Sequence, residues 1–343
     1  MQVVILTSSK DVKSIVQALL NSKHTVVGII QSCVLPKKKK KVFKLLTQFK
    51  RVVKVLYKGF KSDLILFAKK KNIPYFLLTK HNKSELEPWL KELDAGLIVV
   101  RSSHHMLWSN ILEIPKHGVI NVHPSYLPEY RGANPMFWAY HDMELNPGVT
   151  VHYIDEGEDT GDIIYQERYS LNVGSKLDEA EKNMGKVGAK LLLRAIDDIE
   201  NGTVIRVKQE ESNSNYRARK IKESEIASLI NWNEWPVTRV YHYLNYRDNV
   251  SKVISKSATK AIGVLWEVTG YKSIKKQRHI NHKPGLIIKE NEKYKLICKD
   301  GDVLIRRRFS VKRLFQDLTH LTMIVIQVQD LYNSIYLGIN SLS

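Results

Sequence analysis

The chain has 343 residues, 43% of them apolar, and carries a formal charge of +19. That length predicts two domains, and the apolar share suffices for ordinary cores. No run of eighteen apolar residues occurs, which excludes a helical membrane span, and the two cysteines, Cys33 and Cys298, match no metal or redox spacing.

Met1 leads into Gln-Val-Val-Ile-Leu without a basic segment or cleavage site, which predicts no signal peptide and a cytoplasmic protein with reduced thiols. The charge would ordinarily point to nucleic acid or an anionic surface, but it is unevenly spread. From Lys37 to Lys71 there are fourteen Lys/Arg against one acid, Asp63. A chain rich in Lys, Ile and Asn, whose lysines simply solvate a surface, is the plainer reading.

In chain order, Val3 to Leu6 reads as a buried strand, Lys10 to Asn21 as a helix, and His24 to Ile30 as a second strand. Within the basic segment, Val42, Leu45, Leu46, Phe49, Val52, Val53 and Leu56 recur at intervals of three and four, predicting one apolar helix face. Such a helix packs on the sheet, contacts tRNA phosphates, or lies peripherally on an anionic membrane. Strands at Tyr75 to Leu78 and Ala95 to Val100 bracket a helix at Ser84 to Leu93. This alternation predicts an α/β, Rossmann-like, doubly wound and mostly parallel sheet whose sites lie at the carboxyl ends of strands. The first strand runs into Thr7-Ser8-Ser9-Lys10 without a glycine-rich turn, so dinucleotide binding is not supported.

The segment from Gly118 to Ile164 carries the chemistry. Val119 to Val122 is a short strand that stops at His123-Pro124-Ser125, since Pro124 offers no backbone donor. Asn121 and His123, two residues apart, therefore share a face. A second strand, Gly148 to Ile154, leads into Asp155-Glu156-Gly157-Glu158-Asp159-Thr160-Gly161, a loop dense in carboxylates and turn glycines. A long helix from Ser175 to Glu200 covers the sheet, and the polar stretch 208–229 reads as a linker between a domain at 1–207 and one at 230–315. The runs Ala261 to Val268, Pro284 to Lys289, Lys293 to Cys298 and Asp302 to Arg306 alternate with short turns, predicting a small all-β barrel. The tail at 316–343 has no assigned role.

Asn-x-His-Pro-Ser-x-Leu-Pro-x-Tyr-Arg-Gly (Asn121 to Gly132) together with Gly-x-Asp-Thr-Gly-Asp (Gly157 to Asp162) resembles the signature of the formyltransferases that use 10-formyltetrahydrofolate. That family includes enzymes acting on methionyl-tRNA, on glycinamide ribonucleotide and on amino sugars. The resemblance implies the formyltransferase fold with an OB-like C-terminal barrel, 10-formyltetrahydrofolate as co-substrate and no metal. It implies catalytic roles for Asn121, His123 and Asp159, and substrate contacts for Ser125 and Arg131. Folate contacts fall to His105, Met106 and Trp108 in the loop after the strand ending at Val100, and to Gly157, Glu158, Thr160 and Gly161, the glycines allowing close approach of the pterin. A surface or capping pair is an equal reading of His104 and His105, whose spacing suggests no zinc site.

Acyl transfer to an amine passes through a tetrahedral species with a negatively charged oxygen. Such a reaction needs a donor aimed at that oxygen, a proton-handling group and a carboxylate that orients them. The acceptor is methionyl-tRNA if the basic surface and the barrel serve RNA. It is a nucleotide-linked amino sugar if Phe137, Trp138 and Tyr140 wall a pocket rather than pack a helix. A catalytically silent RNA-binding or membrane-associated protein is the third reading, and the oligomeric state stays open.

Overall fold

The computed structural model describes residues 1–8, 13–34, 64–210, 217–247, 249–254, 264–274, 282–311 and 313–314. The helix expected over Val42 to Leu56, most of the basic segment around it and the tail at 316–343 lie outside the described residues. Two compact units are present. The first takes Met1–Ala139, Leu145–Leu171 and Asp178–Lys220; the second takes Tyr140–Glu144, Asn172–Leu177 and the chain from Ile221 onward.

Elements of the first part of the chain are β1 (Gln2–Thr7), α1 (Lys13–Leu20), β2 (Thr25–Ser32), α2 (Leu64–Lys70), β3 (Tyr75–Leu78), α3 (Leu86–Glu92), β4 (Leu97–Arg101), α4 (Ser109–Leu112), β5 (Val119–His123), α5 (Pro135–Asp142), β6 (Gly148–Tyr153), β7 (Ile163–Arg168) and α6 (Leu177–Asn201). The seven strands form one sheet in the order β3-β2-β1-β4-β5-β6-β7. Parallel pairing runs from β3 to β5, whereas β6 pairs antiparallel with both β5 and β7.

Val3, Val4, Ile5 and Leu6 are all fully buried. A strand covered on both faces needs no polar alternation, which is why β1 reads as an unbroken apolar run. On one face, Val4, Leu6, Ile30, Ile98, Val100 and Val119 pack with Leu86 and Leu90 of α3. Within α6, Met184, Leu191, Leu192, Ala195 and Ile196 are buried at helical spacing. Asp178 and Glu179 in its first turn suit the positive end of the helix dipole. The sequence reading passes over β7, whereas α5 is the helix it allows for Phe137, Trp138 and Tyr140. The edge strand β7 buries only Ile164 and ends in charged residues, and α5 is buried along Met136 to Tyr140, so it lacks the one-sided pattern that marks a surface helix.

In the second unit α7 (Val237–Leu244) and α8 (Asn249–Ile254) precede β8 (Val264–Ser273), β9 (Ile287–Glu290), β10 (Lys293–Cys298) and β11 (Gly301–Phe309). These strands form an antiparallel sheet in the order β8-β11-β10-β9, with β8 and β9 at its edges. Glu290 pairs with Lys293 across Asn291 and Glu292, both at positive φ (46° and 62°), the geometry of a two-residue hairpin whose twist matches its strands. Asp300 Oδ1 accepts from the Val237 amide at 2.7 Å, tying the turn before β11 to the start of α7.

His242 is the polar centre of this unit. It has no exposed surface, stacks on Tyr140 with ring centroids 4.5 Å apart and accepts from the Gly174 amide through Nδ1 at 3.0 Å. Its buried Nε2 has no partner among the described residues, and burial pushes its pKa down to about 4. An imidazole whose folded pKa lies below its unfolded value contributes full stability above about pH 6.5, and this is lost as pH falls toward 4. The shift corresponds to about 3 kcal/mol at most. Thermal unfolding at pH 7, 5 and 4 should therefore show a falling midpoint. His242→Gln, which keeps an acceptor but does not titrate, should flatten that fall.

Candidate functional site

The antiparallel register of β5 and β6 puts His152 directly opposite Asn121. The loop after β6 then brings Asp159 back to the same place. Asp159 has a left-handed backbone, φ 56°, a conformation that Asp tolerates better than most residues. In that conformation its Oδ1 lies 3.4 Å from Asn121 Nδ2, 3.4 Å from His123 Nδ1 and 3.7 Å from His152 Nε2. Its Oδ2 accepts from the Gly132 amide at 2.9 Å. The three residues expected to act together, Asn121, His123 and Asp159, do meet, and a fourth, His152, joins them.

Hydrogen-bond logic fixes the tautomers. His152 Nδ1 lies 2.7 Å from the Tyr153 carbonyl, which can only accept, so Nδ1 carries the hydrogen. Nε2 is then a lone pair and receives the Asn121 amide N–H at 3.2 Å. His152 is buried, and burial, reinforced by the His123 ring, lowers its pKa to about 4 against the opposing pull of Asp159. It is thus a neutral acceptor at physiological pH, and it orients the Asn121 amide with its NH₂ toward the cleft. His123 Nε2 donates to the Tyr130 carbonyl at 3.2 Å, so Nδ1 is the atom facing Asp159.

Neither strand pattern nor motif singles out His152, because its role depends on which residue stands across the sheet. Gln209 is the second residue missed. Its Nε2 donates to the carbonyls of Asp159 and Gly161 at 3.0 and 2.7 Å, and its Oε1 accepts from Arg131 Nε at 3.0 Å. One amide therefore pins both ends of the turn 159–161.

The residues expected to meet substrate or folate each have partners within the chain. Arg131 donates to Gln209. Ser125 is 3% exposed and donates to the Glu129 carbonyl at 2.6 Å. Gly157 and Gly161 make room for close contacts inside their own loop. A Cβ at Gly157 would meet Thr160 Oγ1 at 1.9 Å, and one at Gly161 would meet the Tyr153 carbonyl at 2.0 Å. Thr160 donates to Asp155 at 2.7 Å, and Glu158 forms an ion pair with Arg217. After β4, Met106 is 63% exposed. The half-buried ring of Trp108 packs on the core beside α3, with the Lys83 ammonium 5.2 Å from its centroid. His105 is held through its amide on Ser103 and its ring on the Cys33 carbonyl. Phe137, Trp138 and Tyr140 are 2%, 7% and 1% exposed, so they pack α5 and wall no pocket.

A cavity of about 770 Å³ opens near His117, Gly118, Tyr153, Asp162 and Arg206, and none of the four converging residues lines it. The four converging residues therefore lie outside that hollow. Among the described residues two groups bring three metal-ligating atoms within 4.8 Å of one another, His123/His152/Asp159 and His24/Asp197/Glu200. In the second, Asp197 already faces the Lys23 ammonium at 2.9 Å.

The family model described as formyl transferase matches residues 1–196. A methionyl-tRNA formyltransferase of Syntrophomonas wolfei is 33% identical over 284 residues, covering 78% of this chain and 84% of the relative. One of Clostridioides difficile is 34% identical over 214 residues, covering 58% and 68%. Among solved structures, an N-formyltransferase from Helicobacter canadensis, in complex with folinic acid and dTDP-3-aminofucose, aligns with a TM-score of 0.58 at 18% identity, over 90% of this chain and 99% of that one. At that identity the likeness concerns the fold alone.

Removing the Gln209 amide leaves the Asp159 and Gly161 carbonyls without this donor, at about 1 kcal/mol each. Gln209→Ala should lower kcat/KM by tenfold or more and speed hydrogen exchange at Thr160 and Gly161. An unchanged rate together with unchanged exchange would show that the turn stands without it.

Proposed function

Because the chain belongs to the formyl transferase family, we propose that it moves the formyl group of 10-formyltetrahydrofolate to a primary amine, with methionyl-tRNA as the acceptor. The observation that carries this reading is the convergence of Asn121 and His123 on one oxygen of Asp159.

The amine nitrogen attacks the formyl carbon directly, forming a C–N bond and leaving the carbonyl oxygen as an oxyanion. Asn121 donates an amide N–H to that oxygen. The hydrogen now directed at Asp159 at 3.4 Å is the weaker of its two commitments and the one that turns to substrate. Asp159 takes the proton the attacking amine loses, directly or through water. His123 stabilises the oxyanion and returns a proton to N10 of the folate as the C–N10 bond breaks. Atoms balance without a covalent enzyme intermediate, so neither Cys33 nor Cys298 takes part.

On the folate side, exposed Met106 in the loop after β4 offers an apolar surface to the pterin. For the acceptor, the support is the sequence likeness to methionyl-tRNA formyltransferases over most of both chains, together with β11. That strand carries Arg306, Arg307 and Arg308, and Arg307 stacks on Trp266 and Tyr294 with its guanidinium 5.1 and 4.8 Å from their centroids. Cation and aromatic surfaces of this kind suit phosphates and bases. The packing of Phe137, Trp138 and Tyr140 inside α5 removes the aromatic wall that favoured an amino sugar. The same reading takes the four-stranded sheet as part of an OB-like barrel, the domains as 1–207 and 230–315, and the protein as cytoplasmic.

A side-by-side assay with methionyl-tRNA and nucleotide-linked 3-amino and 4-amino deoxysugars tests the acceptor, with turnover expected on the tRNA and fading as salt rises. Asp159→Asn should cut the rate by roughly 10²–10⁴ with folate binding retained. Turnover on the sugars alone would remove the tRNA, and salt-sensitive RNA binding without turnover on any amine would indicate a silent protein.

A further inference from the structure

The side chains that meet at Asp159 have a second property that formyl transfer does not require. Each has its outer polar atom held by the backbone. His123 Nε2 donates to the Tyr130 carbonyl at 3.2 Å, His152 Nδ1 donates to the Tyr153 carbonyl at 2.7 Å, and Asp159 Oδ2 accepts from the Gly132 amide at 2.9 Å. What remains on each is one inward atom: His123 Nδ1, His152 Nε2 and Asp159 Oδ1. These atoms lie within 4.8 Å of one another, Oδ1 being 3.4 Å from Nδ1 and 3.7 Å from Nε2.

Imidazoles that bind metals usually donate their other N–H to a carbonyl or carboxylate, which fixes the ring and presents the free lone pair. Two nitrogens and one carboxylate oxygen form a donor set that suits zinc and neighbouring first-row cations. Around a tetrahedral ion at ~2.0–2.2 Å, ligand atoms stand roughly 3.3 Å apart, close to the two separations seen here. His123 and His152 are buried and held by backbone carbonyls, while Asp159 keeps 16% of its side chain exposed.

We propose that His123, His152 and Asp159 form an inhibitory site for a divalent cation of the zinc type, which leaves one coordination position for water. Binding and catalysis compete for two atoms. The lone pair on His152 Nε2 that receives the Asn121 N–H is the one the metal takes, so a bound ion releases the amide from its catalytic orientation. The same ion claims the Asp159 oxygen that accepts the amine proton. Zinc therefore acts as a reversible brake on the enzyme, not as its cofactor.

Cobalt(II) is the probe, since four-coordinate Co²⁺ gives intense visible bands that need neither folate nor amine. Titration of chelator-treated full-length protein should give such bands at one equivalent. Asp159→Asn and His152→Gln should each weaken binding at least tenfold, and His24→Gln should leave it unchanged, with circular dichroism confirming that each variant is folded. Zn²⁺ should abolish formyl transfer in proportion to occupancy, and EDTA should restore it. Absence of the bands at stoichiometric cobalt, or bands indifferent to Asp159→Asn, would falsify the site. Full activity with the site filled would overturn the mutual exclusion. Only the inhibition arm rests on the formyl-transfer reading, so failure of that reading leaves the spectroscopic arm intact.

Discussion

A carboxylate at the end of a tight turn has to reach back to a strand it has already passed, and the rest of the catalytic unit serves that reach. Asp159 manages it in a left-handed conformation, with one oxygen on the Gly132 amide and the other facing Asn121, His123 and His152. A residue at positive φ is held there by its surroundings or not at all. Here the surroundings are Gln209 on two carbonyls of the turn, Thr160 on Asp155, and Gly161 pressed against the backbone of β6. The backbone strain at Asp159 is thus opposed by hydrogen bonds on both sides of it.

The polar cluster is coherent because each member restricts the next. A carbonyl fixes the tautomer of His152, that tautomer orients the Asn121 amide, and the amide meets the carboxylate. Burial keeps His152 neutral and makes the chain of donors and acceptors directional. Were His152 charged, its Nε2 would compete with Asn121 as a donor to Asp159, and the amide would have no fixed orientation.

Much of this was legible in the sequence where chemistry is local. The apolar runs of β1, β3 and β4, the proline that stops β5 and the paired motifs around Asn121 and Asp159 are short-range signals, and the strands and the three-residue convergence follow from them. Residues whose meaning depends on a neighbour far along the chain were not legible. His152 looks like any polar residue in a strand until the β5–β6 register is known. Gln209 lies fifty residues beyond the turn it supports. Arg131 and Ser125 have chemistry suited to substrates, but the fold had already given each a backbone or side-chain partner. In the second unit the hairpin at Asn291-Glu292 was readable from its turn, whereas the stacking of His242 on Tyr140 joins residues a hundred positions apart.

The reversal of strand direction between β5 and β6 has a further consequence. Because the two strands run antiparallel and are paired residue by residue, Asn121 and His152 stay opposite each other whatever the length of the intervening segment, 124–147. The ladder alone does not finish the site, because the same segment must also return the Tyr130 carbonyl to His123 and the Gly132 amide to Asp159. Variation that spares the reactive group is thereby confined to the stretch beyond Gly132, where the chain is free of both duties.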